Sequence, residues 1–483
     1  MIIDSFIASL SEEFKHPFTA DQEKAVQSLA RFILSSHGRE VFILTGYAGT
    51  GKTSLVSALV RSMRRLDRSV ALLAPTGRAA KVFSAYSDMP AHTVHRIIYR
   101  QQAFEGEQTR FSLGFNKRQN TLFVVDEASM LANETNPDTL FGTGRLLDDL
   151  LQYVYSGSGC KLLLMGDLAQ LPPVGEEASP SLLPETFERL GFRVFHENLS
   201  QVVRQEAHSD VLANATSLRE QLVNAPLQLP SISIGEHGDV QLIGGADFLE
   251  LLEDGYSKEG EDQTIVVTLS NKRAMLYNMG IRERIFDRED VLTRGDRIMV
   301  VKNNYYWTER LHKMLPADER PPFDFIANGD SAQVVRVSNE HTEHGFRFAD
   351  VDLRFTDYDN YEMRCRVLLD TLTSESPSLT AEQSEQLYQR VYADYSYLPG
   401  KKERNKHVRD DAYYNALQIK FAYTVTCHKA QGGQWRRVFI DQGYIPPTMD
   451  VAGYIRWLYT AFTRTTDKLY LVNWPENQTI RNN

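Results

Sequence analysis

Residues 46–53 read Gly46-Tyr47-Ala48-Gly49-Thr50-Gly51-Lys52-Thr53, a G-x-x-x-x-G-K-T run. An apolar stretch of strand length, Val41–Thr45, precedes it, and a helical pattern, Ser54–Met63, follows. In that setting the run specifies a strand, a phosphate-wrapping loop and a helix. Glycines let backbone N–H groups of Gly46, Ala48, Gly49, Thr50 and Gly51 approach phosphate oxygens, and the helix N-terminus adds its positive end. Lys52 is placed to reach the β- and γ-phosphates, and Thr53 to hold Mg²⁺.

A phosphate loop needs acids on a neighbouring strand. Thr121–Asp126 is an apolar strand ending in Asp126-Glu127, about 70 residues downstream. Asp126 suits Mg²⁺ held through water, and Glu127 suits a base that orients and deprotonates an attacking water. A third apolar strand, Lys161–Gly166, leads into Asp167-Leu168-Ala169-Gln170-Leu171-Pro172-Pro173. Gln170, at its carboxyl end, can hydrogen-bond a γ-phosphate or the water attacking it; a Pro-terminated loop is the plain alternative.

With Val70–Ala74, these strands alternate with helical patterns, which predicts a doubly wound, mostly parallel sheet. A second set of apolar runs, Ile265–Leu269, Val438–Asp441 and Lys468–Val472, predicts a second domain of the same kind. At 483 residues the chain is too long for one core. The expected fold class is therefore α/β, with two RecA-like domains: 1–99 with 120–198, and 199–303 with 419–483.

Two insertions interrupt them. Residues 304–418 contain two segments of period two. In Glu362–Leu369 the residues Met363, Cys365, Val367 and Leu369 share one face, and in Asp350–Phe355 so do Val351, Leu353 and Phe355. That predicts half-buried antiparallel sheet, a small barrel, with one helix starting near Thr380, where Thr380 and Gln383 make a capping-box pattern. Residues 100–119 are polar, with Phe104, Phe111, Phe115 and a turn near Glu105-Gly106, and predict a β-hairpin.

The longest apolar runs have strand length, well under the roughly 18 residues of a membrane span. Asp4 within the first apolar turn, and no basic n-region, predict no secretory signal. Three scattered cysteines form no metal pair and suit a reducing, cytoplasmic setting. The net charge of −10 argues mildly against nucleic acid. The basic clusters Arg61–Arg68 and Lys401–Arg409 suit either a strand-binding groove or solvated faces.

The motifs, taken in order, resemble those of superfamily 1 helicases, and within them the RecD/Dda-like group that moves 5′→3′. Phe18-Thr19-Ala20-Asp21-Gln22 looks like the adenine-reading motif, with Gln22 as reader. Ala74-Pro75-Thr76-Gly77 and His92-Thr93-Val94-His95 look like single-stranded DNA motifs, implying contacts from Pro75, Thr76, His92 and His95. Gln170 occupies the γ-phosphate-sensing position. Val203-Arg204-Gln205 resembles the first arginine-finger motif. Thr424–Gly432 is similar to the T-x-H-K-x-Q-G segment, which implies Thr426 and His428 on DNA and Gly432 at the nucleotide. Leu458–Arg464 looks like the last motif, whose arginine, Arg464, completes the ATP site.

Tyr47 departs from the usual small residue or Pro, and Gln434 stands where many relatives carry an acid. The β region falls where the group has an SH3-like barrel, and the hairpin where it carries a strand-separating pin, with Phe104 at the tip and Phe111 as alternate. Phe83, Tyr305, Tyr306 and Trp307 are candidates to stack on bases; core packing is the alternative for each. The resemblance implies ATP and Mg²⁺, single-stranded DNA and its junctions with duplex as partners, and a monomer, with accessory proteins allowed. The rival readings are an ATP-switched subunit of a larger recombination complex and an RNA-directed motor.

Overall fold

The computed structural model describes residues 2–102, 110–134, 142–201, 209–224, 227–447 and 449–481. Among these the chain divides into two compact units, one up to residue 201 and one from residue 209.

The first unit is built on a six-stranded parallel sheet. Its strands are β1 (Glu40–Gly46), β2 (Val70–Ala74), β3 (Ala91–Thr93), β6 (Leu122–Val125), β7 (Lys161–Gly166) and β8 (Arg193–Leu199). They lie in the order β3-β2-β6-β7-β1-β8. β1, β2 and β6 are buried along their whole length, as continuous apolar runs covered on both faces must be. The helices Ile2–Phe14, Ala20–Leu34 and Lys52–Arg65 pack one face, around Leu29, Phe42, Leu44, Leu59 and Met165. Much of the first basic cluster is absorbed here: Arg61 pairs with Glu13 at 3.3 Å and Arg65 with Glu12 at 2.8 Å.

The predicted hairpin is present. β4 (Tyr99–Gln102) pairs antiparallel with β5 (Arg110–Leu113), Tyr99 opposite Leu113 and Gln102 opposite Arg110. The paired segment thus starts one residue before the expected 100–119 and stops well short of its end. Phe111 is buried at the hairpin base, so it is no wedge at a tip; Phe115 is 78% exposed. Phe104 lies outside the described residues.

The second unit carries a parallel sheet and a closed barrel. The sheet strands are β10 (Val240–Ile243), β11 (Thr264–Thr268), β17 (Thr424–Thr426), β18 (Trp435–Asp441) and β19 (Thr465–Val472), in the order β10-β19-β18-β11-β17. The barrel closes through β12 (Arg297–Val300), β13 (Ser331–Glu343), β14 (Phe346–Phe355), β15 (Tyr361–Leu368) and β16 (Leu417–Phe421). β12 and β16 are both wall strands, so the barrel runs past the expected 304–418 in both directions. Three helices accompany it, Tyr306–Met314, Ala381–Asp394 and Lys401–Arg409, where one was expected. The Thr380–Gln383 capping box is formed on both sides. A two-stranded pair, β9 (Ile232–Ile234) with β20 (Thr479–Arg481), completes the described strands.

Alternation positions the barrel core. Val351, Leu353, Phe355, Met363, Cys365 and Val367 all point inward and are buried. They join Val266, Ile281, Phe439 and Tyr470 of the sheet domain in one continuous core. At the junction Asp296, fully buried, takes Arg282 in a fork (two contacts of 2.9 Å) and Arg288 at 2.9 Å. Removing one partner would strand a buried charge, at a cost of about 3–5 kcal/mol.

Candidate functional site

The parallel topology brings the expected nucleotide residues of the first unit to one sheet edge. Register sets Thr45 level with Gly166, and Val125 level with Leu164. The loop after β1, the acids after β6 and the Gln170 loop after β7 therefore leave the carboxyl edge side by side, where open α/β sheets bind ligands.

The loop itself is a cradle. Gly49 and Gly51 have φ of 79° and 83°, the left-handed region. A Cβ on Gly46 would meet the Leu199 carbonyl oxygen and Thr50 Oγ1, each at 2.9 Å. A side chain at Gly49 or Gly51 would strain the backbone, and one at Gly46 would collide with Leu199 and Thr50. Thr50 Oγ1 donates to the Tyr47 carbonyl at 2.8 Å. Lys52, first residue of its helix, donates from Nζ to the carbonyls of Gly46 at 2.7 Å and Tyr47 at 2.9 Å. Its ammonium is thus held over the loop by neutral acceptors, which an anion can displace. Thr53, on the same helical turn, is half-buried.

Asp126 and Glu127 are half-buried at the end of β6. Glu127 has φ 50°, ψ 38°, unusual for a residue with a Cβ, and its N–H donates to Asp126 Oδ1 at 2.8 Å. Left-handed non-glycine residues cost on the order of 1 kcal/mol and gather at functional sites. Gln170 is 5% exposed, and its Oε1 has no hydrogen-bond partner among the described residues. A buried carboxamide oxygen left open is costly, and it points to a donor supplied by a ligand or water.

Gln22 has a different setting from the one the sequence suggests. It is fully buried, its Oε1 accepts from Thr19 N at 3.0 Å, and its Nε2 donates to the Thr50 carbonyl at 3.1 Å. Here it ties the start of its helix to the phosphate loop, with one hydrogen bond at each end of the carboxamide. The signal was legible: Thr19-x-x-Gln22 is a capping box, and such a glutamine has its oxygen committed to the backbone.

The expected strand contacts leave the other end of the same sheet. Pro75 and Thr76 follow β2, and His92 lies on β3, paired with Leu73. Three strand spacings, roughly 14 Å, separate β2 from β1. Thr76 caps the helix Gly77–Ser87, accepting from Ala79 N at 3.2 Å. Burial pushes both histidines down, His95 to about 4, so neither is a cation at neutral pH. His95 packs on Tyr99, whose hydroxyl donates to Asp149 at 2.7 Å. Any contact by either ring with a strand is therefore by hydrogen bonding or stacking.

In the second unit Thr426 ends β17, and His428 is exposed on the short helix after it. Gly432 (φ 73°) and Arg464 come together: Arg464 Nη1 donates to the Gly433 carbonyl at 3.2 Å, and Trp435 N to the Arg464 carbonyl at 2.9 Å. Arg464 is 3% exposed, with Nε on the Thr460 carbonyl at 3.0 Å. Arg204 lies outside the described residues. Of the proposed stacking aromatics, Phe83 and Trp307 are buried, and Trp307 Nε1 donates to the Asn415 carbonyl at 2.9 Å. Both are core. Tyr305 and Tyr306 are half-buried. Among the described residues no group of three metal-ligating side chains lies together, and no helix is long and apolar enough to cross a membrane.

The AAA domain family matches residues 17–229, and the UvrD-like helicase C-terminal domain family matches 421–472. An uncharacterized protein of Acanthamoeba polyphaga mimivirus is 21% identical over 520 residues, covering 94% of this chain and 99% of that protein. The ATP-dependent RecD2 DNA helicase of Deinococcus radiodurans is 30% identical over 182 residues, 38% of this chain and 22% of the helicase. The ATP-dependent DNA helicase dda of Enterobacteria phage T4 is 24% identical over 301 residues, 61% of this chain and 62% of the helicase. The matched regions thus span less than two thirds of either named helicase.

Proposed function

We propose that the chain is an ATP-dependent DNA helicase of the RecD/Dda-like group of superfamily 1 that translocates 5′→3′ on single-stranded DNA. The observation that carries the reading is the carboxyl edge of the first sheet, where Lys52, the Asp126-Glu127 pair and the open carboxamide oxygen of Gln170 leave adjacent strands. Phosphoryl transfer asks little covalent chemistry of a protein; it needs positioning and charge. Lys52 holds the β- and γ-phosphates, Glu127 takes the proton of the attacking water, and Gln170 orients that water. Thr53 and Asp126 would hold Mg²⁺, which when bound supplies charge neutralisation at the phosphates. Arg204 and Arg464 stabilise the charge that spreads over the transferring group.

Strand grip falls to Pro75, Thr76, His92 and His95 in one unit and to Thr426 and His428 in the other. The three cysteines, all buried and unbridged, suit a cytoplasmic protein. Comparing ATP turnover with matched DNA and RNA single strands tests the substrate class. DNA should stimulate strongly and RNA weakly; equal or greater stimulation by RNA would move the protein to the RNA-directed class.

Glu127→Gln keeps the side chain's size and loses the base. It should bind ATP normally and hydrolyse it about 10²-fold more slowly. Single-turnover assays should recover trapped ATP, and rapid phosphate release would remove Glu127 from the role.

Translocation needs grip alone, whereas unwinding needs something stiff at the point where the duplex parts. The hairpin formed by β4 and β5 is the candidate. Phe111 is buried, so the informative change spares it: replace residues 103–109 by a short Gly-Ser link and keep the β4–β5 pairing. Stimulated ATPase and single-strand movement should persist while duplex unwinding falls sharply. Unwinding at the parent's rate would move strand parting from the hairpin to the barrel.

A further inference from the structure

A helix packed on a core turns apolar side chains inward and polar ones to water. The helix Asn271–Arg284 of the second unit reverses this over part of its length. Asn278 and Arg282 are buried, the first bonded to the backbone of Phe421 and Thr424 and the second to Asp296, while Leu276 is 56% exposed and Met279 36%. Leu276 stands on the rim of a cavity of about 330 Å³, a size that suits a bound ligand group. The helix Gly245–Lys258 borders the cavity with Phe248 and Leu249, the helix Asn271–Arg284 with Tyr277 and Ile281, and the end of β19 with Val472. Large apolar side chains left open beside such a space mark a surface that is covered by something else.

Gly280, also on the wall, lies inside the helix, where glycine is destabilising relative to alanine. A Cβ there would meet no atom within 4 Å, so packing does not demand the glycine; what its bare backbone provides is room in the cavity. The charge of the wall is one-sided. Arg273 and Arg284 line it and no carboxylate does. Arg273 is held by Asp441 at 2.5 Å, whereas Arg284 is exposed and pairs with no acid among the described residues. Asn473, at the rim, has φ 48°, and its carboxamide makes no hydrogen bond among the described residues.

Together these features set the chemistry of the occupant. The wall takes a bulky apolar side chain, and Arg284 takes a carboxylate next to it. A carboxamide, which both donates and accepts, matches a peptide bond. Nucleic acid fits poorly, because it would bring a row of phosphates to a single free cation on an apolar wall. We propose that this groove docks an acidic peptide segment of a partner protein, with a large apolar residue in the cavity and a neighbouring carboxylate on Arg284. None of its residues is among those assigned to nucleotide or strand, so the docking site stands independently of the DNA reading.

The test is fluorescence anisotropy with a fluorescein-labelled peptide of four aspartates followed by leucine and phenylalanine, titrated with the full chain. Saturable binding is expected, and a peptide with lysines in place of the aspartates should bind about tenfold more weakly or worse. Gly280→Trp sets a ring into the cavity from a position whose Cβ has no close neighbour, and it should abolish binding. Arg284→Glu, a change at an exposed position, should weaken binding about tenfold through a lost ion pair and a new repulsion. Thermal melting checks that each variant is folded; should Gly280→Trp not fold, Arg284→Glu carries the test. No binding by the wild-type chain, or wild-type affinity in either folded variant, would overturn the proposal. Displacement of the peptide by an oligothymidylate would give the face to DNA, and a dimer that Gly280→Trp dissolves would give it to a second copy of the chain; either result would overturn the peptide assignment.

Discussion

Lys52→Ala should reduce ATP turnover about 10³-fold or more while leaving single-stranded DNA binding largely intact. The side chain ends among the carbonyls of Gly46 and Tyr47, so its charge stands over the loop and not on the β2–β3 end of the sheet, where strand contacts are expected. Its removal frees two backbone oxygens at a half-buried, hydratable site. The loop's shape comes from Gly49, Gly51 and the Thr50–Tyr47 hydrogen bond, none of which needs the lysine. Folding should therefore survive and catalysis should not, because a preorganised cation at the transferring phosphoryl group has no substitute in alanine. DNA-stimulated turnover and anisotropy on the same preparation separate the two effects. Wild-type turnover would end the assignment of the loop as the catalytic phosphate site.

Arg464→Ala should cut turnover by about 10³, the scale of arginine fingers in related phosphoryl transfer, with only a modest loss of nucleotide affinity. The arginine now rests on the Thr460 and Gly433 carbonyls, acceptors weaker than a phosphate. Exchanging them for developing negative charge is favourable in the transition state and less so in the ground state, so kcat should fall further than KM changes. Truncation also leaves those carbonyls unpaired in a buried place, a stability cost of about 1–3 kcal/mol. Arg464→Lys separates the two: it keeps the charge and loses the fork, and should recover only part of the rate. Unchanged turnover in a folded Arg464→Ala protein would remove this residue from the site.

The sequence made visible whatever is written as an uninterrupted pattern. The phosphate loop, the apolar strands β1, β2, β6 and β7, the barrel alternation of β14 and β15 and the cap at Thr380 all follow from spacing alone. β8, Arg-Val-Phe-His-Glu-Asn-Leu, shows no such pattern because it is an edge strand with only its last residue fully buried. β12, Arg-Ile-Met-Val, is too short for periodicity to divide between a parallel sheet and a barrel wall, and the alternation of β16, Leu-Gln-Ile-Lys-Phe, does not say which strands it pairs with; closure of the barrel is a long-range fact. Burial decided the rest. Phe83 and Trp307 read equally as stacking rings and as core, and packing made them core. Gln22 matched a base-reading position, yet the capping box and the Thr50 carbonyl hold its carboxamide.

The most direct measurement of the central claim uses two duplexes of the same sequence, one with a 5′ single-stranded tail and one with a 3′ tail, incubated with the purified chain and ATP. Multiple-turnover unwinding of the 5′-tailed duplex, with the 3′-tailed one left intact and neither opened without ATP, is the predicted result. Unwinding of the 3′-tailed duplex alone would contradict the direction. Failure to unwind either, by a protein that still hydrolyses ATP on single strands, would contradict the helicase reading and favour an ATP-switched subunit of a larger complex.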